Sequence, residues 1–196
     1  IMAIAFAIAL GIVSVSRLFA PIFWGEDFAP CAYILSALAL FIPFSGFANV
    51  IRMQYLIPNG MDGAYILSVI LGAVSNLTAN SLLIPRCGAL GAAVGTVIAE
   101  GVVCAAQCLA VKKRIDILAY LKSTAFFGMA GLLMYGAVQV LDQRAEITVS
   151  WLLLEIVVGG SVYCILSVLY LYHTKNELLM TALQKLGGAH QNNDRG

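Results

Sequence analysis

The chain has 196 residues, 61% of them hydrophobic and only 11% charged, with a formal net charge of +1. A water-soluble domain runs at roughly 45–50% apolar and about 25% charged, so this composition belongs in a bilayer and excludes a basic nucleic-acid-binding surface. The five cysteines (Cys31, Cys87, Cys104, Cys108 and Cys164) form no CxxC pair and His173 and His190 sit in the tail, which argues against a disulfide framework or a metal centre.

A helix rising about 1.5 Å per residue crosses a hydrocarbon core about 30 Å thick in about 20 residues. By that measure the sequence predicts an all-α, polytopic transmembrane bundle of six spans. The first, near residues 1–16, is short. It opens inside an apolar stretch without a basic leader or a cleavage site, and so reads as a truncated span with an upstream portion in a longer parent chain. The acidic turn Trp24-Gly25-Glu26-Asp27 precedes a span near 28–56. Pro30 falls in its first turn, where proline is tolerated, and Pro43 and Gly46 predict a kink in its interior. Spans near 63–85 and 89–111, joined at Pro85-Arg86-Cys87-Gly88, form a predicted helical hairpin. Two more spans follow near 121–141 and 147–172. Residues 115–122 and 176–186 alternate charge with Leu and Ile, the pattern of short surface helices.

Three regions result: 1–114, an additional pair of spans within 115–173, and a cytoplasmic amphipathic helix with a disordered tail over 174–196. Lysine and arginine favour the cytoplasmic side. Alternation from an inside C-terminus puts Arg52, Lys112, Lys113, Arg114, Lys122 and Lys175 inside, against Arg17, Arg86 and Arg144 outside. The C-terminus is therefore expected in the cytoplasm.

The polar residues within spans are few, and each has a structural and a functional reading. Asn76 and Asn80 share a helix face, as do Thr96 and Glu100, so Asn76, Asn80, Thr96 and Glu100 could close one interhelical polar cluster. That cluster either locks the hairpin or serves a substrate. Gly88, Gly91 and Gly95 belong to a surface of small residues that admits a neighbouring helix. Glu100 and Glu155 are acids deep within spans and candidates for substrate binding or ion coupling, with hydrogen-bonded packing as the alternative. Arg52 ends a long apolar run and either faces a cavity or snorkels to the interface. No HExxH, GxSxG, P-loop or GxGxxG is present, so neither catalytic residues nor a cofactor are expected.

The run Tyr55 to Glu100 has a further pattern: Leu56-Ile57-Pro58, Ser68-Val69-Ile70, Asn76, Asn80, Leu83-Ile84-Pro85, Gly88, Gly91-Ala92-Ala93, Thr96 and Ala99-Glu100. With Phe23-Trp24-Gly25-Glu26-Asp27-Phe28 upstream, it resembles the polysaccharide-biosynthesis branch of the multidrug/oligosaccharidyl-lipid/polysaccharide exporter superfamily, the O-antigen and capsule repeat-unit flippases. The resemblance covers residues 19 to 114, and the last two spans match in hydropathy only.

That resemblance implies two six-helix lobes around a central cavity, with two extra C-terminal helices in many members. This chain would be most of the C-terminal lobe plus that pair. The implied substrate is an undecaprenyl-diphosphate-linked oligosaccharide moved across the bacterial cytoplasmic membrane. Implied partners are membrane lipid, the missing N-terminal half and polysaccharide polymerase machinery. Arg52 is the one candidate here for the basic residues that meet the diphosphate. A multidrug or organic-cation exporter, relying on Glu100 and Glu155, and a non-transporting scaffold subunit are the alternatives.

Overall fold

The computed structural model describes residues 1–173; the amphipathic helix and tail expected over 174–196 lie outside the described residues. The described residues are helical and contain no strand. Helix α1 (Met2–Trp24) runs 23 residues, ~35 Å at 1.5 Å per residue, and does not stop near residue 16 as expected. The helix runs on through Arg17, whose guanidinium is paired with Asp142 at 3.1 Å. Pro21 lies in the last turn, where its missing N–H breaks only the bond toward Arg17. Gly25, at φ 97°, then ends the helix and donates its N–H to the Pro21 carbonyl at 3.0 Å.

The second crossing, Cys31–Leu56, is assembled from three pieces. Helix α2 (Cys31–Ala39) gives way at Leu40 to α3 (Phe41–Ile51), and a π-helical turn, Arg52–Leu56, completes it. The kink expected at Pro43 and Gly46 thus falls at Leu40, one turn earlier, because a proline ring presses on the carbonyl four residues before it, here that of Ala39. Gly46 has another use. A Cβ there would lie 3.2 Å from the Ala5 Cβ, so the glycine lets α3 approach α1.

Helix α4 (Asp62–Val111) is two limbs, residues 62–87 and 89–111, folded back at Gly88, whose φ of 55° and ψ of −133° no helix contains. Each limb is long enough to span a bilayer. Helix α5 (Ile117–Asp142) is capped by Asp116, which accepts from the Ala119 N–H at 3.2 Å. It absorbs residues 117–122, expected as part of a separate surface helix. Helix α6 (Val149–His173) completes the described chain. Crossing in alternation, the helices put Trp24, Gly88 and Asp142 at one end of the bundle and Leu56, Val111 and His173 at the other.

Helix α1 is the hub: it packs against α2, α3, α5 and α6, while α4 packs on α2 and α3. What is buried is mostly small, including Ala5, Ala9, Ala20, Ala48, Ala93, Ala99 and Ala130. Large apolar side chains such as Leu77, Val140 and Val157 point outward. In water that distribution would be costly. In lipid the tails solvate leucine and valine as well as another helix would, so helices gain by close backbone packing through small residues. The five helices long and apolar enough to cross a membrane, with α4 doubled back, describe a multi-pass membrane protein.

Candidate functional site

The two limbs of α4 meet in a fixed register. Ser68 faces Gln107, Gly72 faces Val103 and Asn80 faces Gly95, so each step forward on one limb matches a step back on the other. A Cβ at Gly95 would collide with the Asn80 side chain, and one at Gly91 with the Leu83 backbone. Gly88 differs from these two: a Cβ there would meet nothing within 4 Å, and its role is the positive φ of the corner.

The register decides the fate of the expected polar cluster. Asn80 donates from Nδ2 to the Asn76 Oδ1 at 2.9 Å, within one limb. The opposite limb buries Gly91, Gly95 and Ala99 along one face, and Thr96 and Glu100 lie one residue, about 100°, around the helix from Gly95 and Ala99. Thr96 therefore closes on its own helix, donating to the Ala92 carbonyl at 3.1 Å, and half-buried Glu100 hydrogen-bonds to none of the other three. The four side chains do not assemble. Asn80 keeps a buried Oδ1 without a donor, pressed against Gly95.

The polar link between the limbs is one that the sequence reading missed. Gln107 donates from Nε2 to the Ser68 Oγ at 3.1 Å, with both residues 1% exposed, and Ser68 in turn donates to the Tyr65 carbonyl at 2.6 Å. The signal was present: Ser68 and Gln107 lie almost equally far on either side of Gly88.

Arg52 stands at the opposite end of the bundle from Gly88. Its Nη2 donates to Asn49 Oδ1 at 2.7 Å and its guanidinium lies 5.4 Å from the Tyr65 ring centroid, tying the π-helical turn to α4. Its Nε is buried and lacks an acceptor.

Glu155 is remote from both. It is 1% exposed on α6 and lines a cavity of about 340 Å³ between α1, α5 and α6, with Gly11, Ser14, Met134 and Gly159 among the walls. Asp142, 3% exposed at the end of α5, receives Arg17 Nη1 on Oδ2 at 3.1 Å and also faces Glu155. Arg17 and Asp142 carry no site signal in the sequence, since each sits near a span end where a charge is ordinary. Their separation along the chain hid the pairing. The three candidates Arg52, Glu100 and Glu155 are thus in three places, and the structure gathers no single constellation from them.

No protein-family model and no curated protein matches this sequence. Among solved structures, the chain is similar to a lipid II flippase, MurJ, in an inward closed conformation, with a TM-score of 0.75 and 19% sequence identity over 89% of this chain. The match takes in 38% of that chain's length. At this identity the likeness is one of fold alone.

Proposed function

We propose that the chain is part of a transporter that flips a lipid-linked saccharide across a bacterial cytoplasmic membrane, with an undecaprenyl-diphosphate-linked oligosaccharide of the surface-polysaccharide type as substrate. The observation that carries this reading is the shared helix arrangement with the lipid II flippase. A polar, charged head group cannot cross hydrocarbon unaided, and a cavity between two helical lobes that opens to alternate sides removes that barrier while the lipid tail stays in the membrane. The rest of a longer chain would supply the first lobe, and polymerase machinery would consume the product on the far side. Arg52 is the residue here best suited to a diphosphate, since its Nε has no partner and its charge is set on a fixed frame by Asn49 and Tyr65.

The test is reconstitution of the full-length protein into vesicles with a fluorescent undecaprenyl-diphosphate oligosaccharide, followed by the access of a membrane-impermeant quencher. The expected result is exposure of the inner-leaflet pool well above empty vesicles. Equal rates with and without protein would overturn the reading. Lipid II moved in place of the oligosaccharide would keep the flippase and replace the substrate. For orientation, a reporter inserted after Lys113 should read cytoplasmic and one at Gln143 periplasmic; the opposite pair would reverse the topology.

A further inference from the structure

We propose that Glu155 and Asp142 bind one exchangeable proton between them, making the junction of α1, α5 and α6 a proton-binding site. The site stands whatever the protein transports. Three carboxyl oxygens are buried there without a donor: both oxygens of Glu155 and Oδ1 of Asp142. Arg17 reaches only the fourth, Asp142 Oδ2. The other polar groups nearby are already committed, because Ser14 Oγ donates to the Leu10 carbonyl at 2.7 Å and Tyr163 OH to the Ala3 carbonyl at 2.6 Å.

With both acids ionised, two negative charges would share one arginine in an apolar cavity, and one carboxylate would be left desolvated and unpaired. The charged groups acting on Glu155 are Asp142 from α5 and Arg17 from α1; on α6 itself, Tyr163 and Cys164 line the same cavity. None of these offers Glu155 a second positive charge. A proton on the pair removes one negative charge and supplies the missing donor, as in carboxylate dyads whose members stand too close to ionise together.

A metal cation is a poorer occupant. Hard cations collect about six oxygen ligands, whereas the site offers three free carboxyl oxygens, and beyond Ser14, Tyr163 and Cys164 the other residues lining the cavity are apolar. Access exists from one side, since the Arg17 side chain is 64% exposed while Asp142 beside it is buried. The proton therefore enters and leaves past Arg17, moving between water and the Glu155 carboxylate, with no other bond made or broken. Each participant stands on a different helix, so occupancy of the site governs the attachment of α6 to α1 and α5.

Infrared difference spectroscopy of the reconstituted full-length protein across a pH titration tests this. The wild type should show a protonated-carboxyl stretch that shifts in heavy water and on isotope labelling of glutamate, and that added sodium does not remove. Glu155→Gln should abolish it. Asp142→Asn should abolish it too, because Glu155 then ionises against the freed Arg17. A wild type without such a band overturns the proposal, as does a band displaced by sodium, which would make the ligand a metal cation. A band that persists in Asp142→Asn shows a lone buried acid and no shared proton. The wild-type measurements decide the matter even if a variant fails to fold, and none of them depends on flipping activity.

Discussion

The α4 hairpin and the α1–α5–α6 junction hold helices together in opposite ways. The hairpin joins two limbs that are neighbours in sequence, through glycines that remove side chains and one neutral hydrogen bond, Gln107 to Ser68. The junction joins residues 17, 142 and 155 through charge, beside a cavity that Glu155 lines. The hairpin is closed by shape, and the groups that join its limbs are neutral. The junction leaves volume and unpaired oxygens, and can change state. Structural and responsive functions are thus separated within one small bundle.

The comparison breaks first at Gly91. Its missing Cβ would strike the Leu83 backbone, which has no way to yield, so Gly91→Ala should cost about 3 kcal/mol or more and remove most folded protein from membranes. Gly160→Ala is the control, since a Cβ there meets nothing within 4 Å and yield should be unchanged. Equal yields for the two would show that the limbs are not in backbone contact at Gly91.

At the junction, chemistry should matter more than volume. Glu155→Leu fills space but leaves Asp142 Oδ1 buried without a donor, and should destabilise the protein by about 1–3 kcal/mol in thermal unfolding. Glu155→Gln keeps a donor and should unfold near the wild-type temperature. A leucine variant as stable as the glutamine variant would mean that packing alone holds α6.

Two smaller effects sharpen the hairpin half. Gly88→Ala forces a side chain into a positive-φ corner and should cost about 1–2 kcal/mol, with a Cβ that clashes with nothing, so the loss would be purely one of backbone conformation. Gln107→Met removes the buried bond to Ser68 while keeping bulk, and should cost only about 0.6–1 kcal/mol. A double-mutant cycle with Ser68→Ala gives that coupling directly, and a value near zero would leave the hairpin to its glycines alone.

The same contrast explains what could be read from the sequence. Spans, the hairpin corner and the small-residue face follow from local composition, because membrane helices are defined by runs of about 20 apolar residues and their close contacts by glycine and alanine. The pairing of Asn76 and Asn80 is local too. Helix periodicity groups Thr96 and Glu100 with them, but it gives a face and no register between limbs, and a one-residue offset turns a side chain by about 100°. Arg17 and Asp142 carried no local signal, being 125 residues apart with ordinary positions near helix ends. Only the packing of α5 and α6 onto α1 reveals that Glu155 has company.

The interruption at Leu40 gives the second crossing the mechanics of a lever. A continuous helix resists bending because every carbonyl is tied to a donor four residues on, but Pro43 leaves the Ala39 carbonyl untied and concentrates compliance at one point. From that fulcrum to Arg52 is ~18 Å of helix at 1.5 Å per residue, so a rotation of about 10° carries the guanidinium about 3 Å. Arg52 is tied to Asn49 on the same arm and to the Tyr65 ring on α4, so movement of the arm is transmitted into the hairpin and does not dissipate in lipid.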